Sequence, residues 1–485
     1  MTGVEARRGV TSPGLLVAAL SVVALTVAVL QTAVVPILGV MERQLNASTV
    51  DVSWVVTANL LAAAATTPLI GRLADLHTKK KVLLIVLAVV LAGSVLAAVT
   101  TSLPMLIVAR VMHGASFALY PIGVSILREE LPPERLMGAM AVISGVLGIG
   151  GGMGLVIVGL LMRGGDAGYH RVFWFATAFT VVVIAAVVAV VPTRPQSGTG
   201  SVDWVGALGL AVGLSLLLLA LTQGNGWGWT SPRILAGAAG GMVALGAWWW
   251  WEQRCAQPLV STRMLARRPI LLTNIATVSV GIGLYCGFLG LTGFVQAPES
   301  TGYGLGASVL EASVVYLLPG ALAGFATALI SGRYIDRYGA RPVLVTGAAI
   351  GVVGFAFLAA AHASAWQVVV AGILVNVYIS LAYGALPALV VREVEPGETG
   401  VATSMNAIAR TVGSSISAAI VAVLLSRSGN PGGGPPESSF TAIFAMGAVT
   451  GLIALVLIAA SRPRLRDIES VDELTDSRAM NHEWG

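Results

Sequence analysis

Apolar runs of about 20 residues recur along almost the whole chain, each long enough to cross a ~30 Å hydrocarbon core as a helix. In lipid every backbone N–H and C=O must find its partner inside the protein, so such runs fold as membrane-spanning helices. The composition agrees. The chain has 485 residues, 56% hydrophobic and 11% charged, with mean hydropathy +0.86, whereas soluble domains carry roughly 25% charged residues. No soluble domain of ordinary size fits between the runs. Cys255 and Cys286 fall in a predicted loop and inside an apolar run, which excludes a disulfide framework.

The pattern predicts fourteen helices, at 14–38, 54–70, 82–100, 104–127, 137–161, 172–193, 204–222, 234–253, 270–296, 307–331, 342–362, 366–391, 401–425 and 440–461. The connections are short, so sequence neighbours run antiparallel, and an even count puts both chain ends on one side. Lysine and arginine orient the array. Of 28 such residues, 21 fall on the side of the termini, 5 on the other and 2 inside spans, which predicts cytoplasmic termini. The same bias accounts for the basic composition without a nucleic-acid partner. Arg7 and Arg8 precede a stretch, Gly14 to Leu38, too long for a cleaved signal and lacking a clean cleavage site, so it reads as a retained first helix. Trp248 to Trp251 read as an interfacial belt closing predicted helix 8. Residues 429–437 read as a flexible outer loop, and 462–485 as a polar cytoplasmic tail.

One motif occurs twice. Gly71-Arg-Leu-Ala-Asp75 is followed by Lys80, and Gly332-Arg-Tyr-Ile-Asp336 is followed by Gly339 and Arg341. In both, an aspartate lies four residues after a glycine and a basic residue five residues later. A repeated charged hinge between apolar helices points to two related halves, and in a bilayer that design usually serves transport.

With these motifs the chain resembles the major facilitator superfamily, and its fourteen spans resemble the drug:proton antiporter branch of that family. Supporting stretches, in family order, are Trp54-Val-Val-Thr57, Arg110-Val-Met-His-Gly114, Gly150 to Gly159, Asp203-Trp204, and Gly400 to Arg410. The resemblance covers nearly the whole chain. It implies an all-α integral membrane fold: an N-terminal six-helix bundle (14–193), an inserted helix pair (204–253) and a C-terminal six-helix bundle (270–461). The implied function is proton-coupled export of small amphiphilic drugs or antibiotics across the plasma membrane by alternating access. A solute–proton symporter or uniporter on the same fold is the alternative. The departures are specific. Leu76 and Thr78 replace the usual arginine and glycine, and Leu155 replaces a proline in the antiporter-type glycine helix. Val27, nine residues before Pro36, stands where many relatives carry the aspartate that couples protons.

The motif residues assign roles that chemistry can test. Asp75, just past predicted helix 2, is within reach of a neighbouring helix N-terminus and of Arg72 or Lys80, as a latch requires. Asp336 repeats it. An arginine near mid-membrane costs at least ~2.5–3.5 kcal/mol on insertion scales, so Arg110 and Arg410 are expected to face a cavity or a partner. Asn406, Arg410, Gly413 and Ser417 share one helical stripe, read as a cavity wall. His113 shares a face with Arg110 and is either a packing residue or a titrating one. Every acid lies in a loop, in the tail or near a span end. Glu311 and Asp51 come closest to the membrane, and both also fit simple helix N-terminal charges. Arginines without a cavity carboxylate favour neutral or anionic cargo over dications. Gly145, Gly148, Gly150, Gly151, Gly152 and Gly154, with Gly159 beyond, allow close packing or bending, and the sequence leaves both open. Tyr120, Tyr285, Tyr316, Tyr378 and Tyr383 are candidate cavity aromatics. No phosphate-binding loop or Cys/His metal cluster occurs in the sequence. The expectation is therefore a monomeric, non-enzymatic transporter that needs no cofactor, only the proton gradient, with protons, a small molecule and the bilayer as partners.

Overall fold

The structure, a computed structural model, describes residues 12–34, 37–47, 49–162, 168–194, 201–308, 311–426 and 435–461. Among these residues fourteen helices are long and apolar enough to cross a bilayer, and no strand forms. They are α1 (Pro13–Thr32), α2 (Thr49–Leu76), α3 (Lys79–Val99), α4 (Leu103–Glu130), α5 (Pro133–Leu161), α6 (His170–Val190) and α7 (Trp204–Trp227). The rest are α8 (Pro232–Glu252), α9 (Arg268–Gln296), α10 (Ala312–Tyr338), α11 (Ala340–Ala360), α12 (Ala365–Arg392), α13 (Thr399–Leu425) and α14 (Glu437–Ala460). The Arg7-Arg8 flank, Pro36, most of the loop before Glu437 and the tail from Arg462 lie outside the described residues.

Local chemistry sets the helix ends. Prolines open α1, α4, α5, α8 and α9, where a missing backbone N–H leaves no intrahelical bond unmade. Ser12, Asp203 and Ser231 cap α1, α7 and α8 through their side chains. Three ends differ from the sequence expectation by six residues or more. α1 stops at Thr32 rather than 38, and a separate short helix follows at Leu38–Leu45. α2 runs on to Leu76 and α10 to Tyr338, so Asp75 and Asp336 sit in final helical turns and not in loops. Ala74, Leu76 and Ile335 are buried beside them, and that burial carries each helix past its first charged residue.

Buried apolar side chains collect into a bundle from α1 to α6 and a second from α9 to α14. The inserted pair α7–α8 lies on the flank along α2 and α13. At the end of that pair, Trp248 Nε1 donates to Glu252 Oε1 and Trp251 Nε1 to Asp203 Oδ2, each at 2.9 Å. The tryptophan cluster thus pins α7 to α8 as well as marking an interface. α7 also ties the two bundles together near its C-terminal end: Gln223 Nε2 donates to Thr57 Oγ1 on α2 at 3.2 Å, and Asn225 Nδ2 to the Ala419 carbonyl on α13 at 3.3 Å.

Three helices depart from α geometry, α4 and α9 within their spans and α10 at its start. α4 tightens into a 3₁₀ turn at Ala115–Ala118, directly after Gly114, where a Cβ would stand 2.5 Å from Ala62 Cβ and 2.8 Å from Ala63 N. α9 and α10 carry π turns at Cys286–Gly290 and Ala312–Leu317. Such turns interrupt a helix where side chains must be re-aimed.

Candidate functional site

Helix alternation places the ends of α2, α4, α10 and α12 on the face where α1 begins, here called the motif face. There the two bundles are closed on each other. Asp75 Oδ1 accepts the Gly400 N–H and Oδ2 the Val401 N–H, each at 3.2 Å. Both donors belong to the first turn of α13, whose own N-cap residue, Glu398, makes no side-chain cap. The carboxylate of one bundle therefore caps a helix of the other, satisfying free N–H groups and meeting the positive end of the helix dipole. Ser125 Oγ on α4 adds a 3.5 Å contact to Oδ1. The helices approach this closely because Gly71 faces Gly400: a Cβ on Gly71 would stand 2.4 Å from Ser404 Oγ and 3.0 Å from the Gly400 carbonyl.

The second motif copy builds the mirrored crossing. A Cβ on Gly332 would stand 2.7 Å from Gly138 Cα on α5, and one on Gly138 would stand 2.8 Å from Asp336 Oδ2. Gly145 against Ala328 and Gly152 against Ala321 continue the α5–α10 seam. The basic residues do not pair with the aspartates as the sequence reading expected. Lys80 Nζ donates to the Val188 carbonyl at 2.9 Å, in the last turn of α6. Arg341 donates to the Ile458 and Ala459 carbonyls at 2.9 and 2.5 Å, in the last turn of α14. Each caps the final helix of its own bundle, where carbonyls lack intrahelical partners. Arg72 does not close on Asp75 either, and its buried Nε has no hydrogen-bond partner. Gly339, at φ +85°, ends α10 with a positive φ that glycine tolerates, while Thr78 makes the matching turn at φ −57°.

Arg128 is the clamp residue that sequence reasoning missed, because nothing separates it from the other interfacial arginines. From the end of α4 its guanidinium donates to Thr399 Oγ1, to the Val394 carbonyl at 2.7 Å and to the Glu395 carbonyl at 3.3 Å.

Between the bundles lies a cavity of about 140 Å³, walled by α1, α4, α5 and α9 to α13. Arg410 enters it about 16 Å from the start of α13 at 1.5 Å per residue, close to the membrane midplane. From there the cavity runs toward the opposite face along Val27, Gln31 and Thr32 of α1 and Tyr285 of α9. Gln31 Nε2 donates to Tyr285 Oη at 3.2 Å, a bridge between the bundles. The wall is mainly apolar, with Asn376, Thr411 and Ser414 as further polar positions, and the α9 and α10 π turns both contribute to it. Val27 forms part of the wall, so the position that the family resemblance singled out for an acid faces the cavity and is aliphatic. Among the described lining residues Arg410 is the one side chain charged at neutral pH. Its guanidinium carbon lies 4.8 Å from the Tyr383 ring centroid and 5.8 Å from that of Tyr120.

Several expected cavity residues lie elsewhere. Arg110 is 1% exposed and does not line the cavity. Its Nε donates to the Val55 carbonyl at 3.0 Å, and its Nη1 to the Leu30 carbonyl at 3.1 Å, in the last turn of α1. His113 Nδ1 lies 3.2 Å from Arg110 Nη1, and its Nε2 lies 2.9 Å from Ser94 Oγ. Together they brace α1, α2, α3 and α4, and the arginine satisfies carbonyls instead of snorkelling. Asn406 donates to Asn274 Oδ1 and Thr277 Oγ1, Ser417 contacts Cys286, and a Cβ on Gly413 would stand 2.1 Å from the Val278 carbonyl. That stripe of small and polar residues seals α13 against α9, and Thr411 and Ser414 flank Arg410 on the cavity side. Glu311 is exposed at the start of α10, away from the cavity. On α5, Gly150 and Gly154 pack on α1, where a Cβ would meet Ala28 Cβ at 2.5 Å and Thr32 Oγ1 at 2.6 Å, whereas nothing lies within 4 Å of one on Gly159. Tyr120 in the first bundle and Tyr316 and Tyr378 in the second are buried and do not line the cavity.

A family model described as Major Facilitator Superfamily matches residues 20–417, with a further match over 278–478. The chain belongs to that superfamily. It is accordingly a multi-pass membrane transporter and not an enzyme. Within the superfamily it is 27% identical over 392 residues to the tetracenomycin C resistance and export protein of Streptomyces glaucescens, covering 79% of this chain and 70% of that protein. It is also 27% identical over 364 residues to the uridine/deoxyuridine transporter of Lactococcus lactis subsp. cremoris, covering 72% and 73%. The fold matches the human organic anion transporter MFSD10 (TETRAN) with a TM-score of 0.63 at 16% identity, over 92% of this chain and 99% of that one.

Proposed function

We propose that this superfamily member is a proton-driven exporter of small amphiphilic drugs or antibiotics, working by alternating access. The observation that carries the reading is the two-sided motif-face closure, in which Asp75 caps α13 across the bundle boundary while the cavity runs the other way. Closure of this kind must break for the cavity to face the motif side. A protonated carboxyl has one acceptor oxygen fewer to offer two backbone N–H groups, so protonation of Asp75 loosens the cap. Asp75 thereby links proton uptake to the swing of the bundles, a role that the aliphatic Val27 cannot take. The bias of basic residues supports a plasma-membrane orientation with the motif face and both termini in the cytoplasm. In this reading the transporter acts as a monomer, without nucleic acid and without a cofactor beyond the proton gradient. The named export activity of the Streptomyces relative supports the direction of transport.

The second reading is a solute–proton symporter or a uniporter. Val27 at the cavity wall and the nucleoside-transporting relative favour it. A susceptibility panel in a pump-deficient host expressing the chain, with Asp75→Asn alongside, tests export. In proteoliposomes an inward proton gradient drives export for the antiporter and import for the symporter. Flux unaffected by the pH gradient would leave the uniporter.

A further inference from the structure

The two membrane arginines are used in opposite ways. Arg110 has its donors on Val55, Leu30 and His113, and it is closed off from the cavity. Arg410 makes only ring contacts. No protein acceptor among the described residues takes a hydrogen bond from its guanidinium, although it faces the cavity near the midplane. An unpaired guanidinium at that depth is unfavourable unless something brings it a counter-charge. The described lining holds no carboxylate, and Gln31 and Asn376 are neutral amides.

We infer that the missing counter-charge is the cargo: the cavity takes planar aromatic monoanions, whose carboxylate, sulfonate or phenolate oxygen pairs with Arg410. The inference rests on the exporter reading and narrows its substrate class. A guanidinium presents a flat fork of N–H donors that matches a carboxylate, and its face is free to stack. Tyr383 and Tyr120 already flank it, and Tyr285, Phe288 and Phe117 supply further rings along the same cavity. An aromatic body fits between these surfaces with its anionic edge on Arg410. A cationic cargo would meet like charge in a low-dielectric site without any acid to offset it. Export of a monoanion is also electrogenic, whether it moves alone or against a proton. Only co-transport with a proton would make it electroneutral.

Two xanthene dyes of opposite charge test this at mildly acidic pH: fluorescein, there chiefly a monoanion, and rhodamine 6G, a cation. Binding is read by fluorescence anisotropy on the full chain in nanodiscs, and flux in proteoliposomes with and without a potassium diffusion potential. The expected result is binding and potential-driven flux of fluorescein in preference to rhodamine 6G. Arg410→Gln weakens fluorescein binding by roughly 10- to 100-fold, the scale of a lost charged hydrogen bond, with an unchanged melting temperature. Arg410→Lys falls between the two, because it keeps the charge and loses the fork. Preference for rhodamine 6G, binding of neither dye, or fluorescein affinity indifferent to Arg410→Gln in a folded protein overturns the inference. Rhodamine 6G export with fluorescein ignored would sink this substrate class and leave the exporter reading standing. Arg410-dependent fluorescein binding with no flux of any kind would do the reverse.

Discussion

Asp75 and Gly400 meet at 3.2 Å across the bundle boundary, 325 residues apart in the chain, through a bond that caps one bundle's helix with the other's carboxylate. The contact ties an ionisable side chain to a backbone position that must separate during the transport cycle. Its strength therefore sets how long the motif face stays shut.

Replacing that carboxylate weakens the closure. In Asp75→Asn one amide oxygen remains as acceptor and the NH₂ group turns donors toward donors. A lost hydrogen bond to a charged group is worth about 1.5–3 kcal/mol, which shifts the closed-to-open ratio by roughly 10- to 150-fold. Spin-label distances between the motif-face ends of α2 and α13 should lengthen, and export should fall. An unchanged distance distribution would remove Asp75 from the gate.

Crowding the same contact gives an independent handle. In Gly400→Ala the new Cβ would stand 2.7 Å from Asp75 Oδ1 and 2.9 Å from the Gly71 carbonyl, and backbone cannot step aside cheaply. Overpacking of this kind costs typically ~1–3 kcal/mol, so the variant should open at the motif face like Asp75→Asn. Gly159→Ala serves as the control, because its Cβ meets nothing within 4 Å. Equal cysteine cross-linking rates across α2 and α13 in the two variants would contradict the argument.

Arg110→Lys should act on stability first. Lysine loses the fork that serves the Val55 and Leu30 carbonyls together, and a lost hydrogen bond from a charged group costs about 1.5–3 kcal/mol. A thermal melt of the purified protein should shift down clearly, in contrast to Arg410→Gln. A native melting temperature with abolished flux would mean that Arg110 acts in transport directly.

The double variant Gln223→Ala with Asn225→Ala removes the two bonds by which α7 holds both bundles. Each is worth roughly 0.5–1.5 kcal/mol, enough to broaden the separation of α2 and α13 at the face away from the motifs. Hydrogen exchange in the last turns of α7 should rise. No change in either measurement would leave α7 a passive passenger.

The helices were legible in the sequence because apolar length alone dictates them, and the repeated Gly…Asp…basic motif pointed to the gate. The sequence was silent where satisfaction depends on distant backbone. Arg110 and Arg410 look alike as isolated charges in apolar runs, yet one reaches carbonyls of α1 and α2 and the other reaches none. Lys80 is near Asp75 in sequence, yet it and Arg341 reach instead the open carbonyls in the last turns of α6 and α14, which no neighbouring residue in the sequence reveals. The Asn406–Ser417 stripe showed the right polarity for a cavity wall and also for a tight helix seam, and the seam won. The π turns of α9 and α10 have no signature that periodicity could register.

The inserted pair α7–α8 lies over only one of the two joints between the bundles, that of α2 with α13. Among the described residues the joint of α5 with α10 has no such pair along it and closes on small residues, as at Gly145 against Ala328, with Asp336 beside Gly138. A molecule dissolved in the bilayer and arriving sideways thus meets two unlike doors, one screened by an extra wall and one bare.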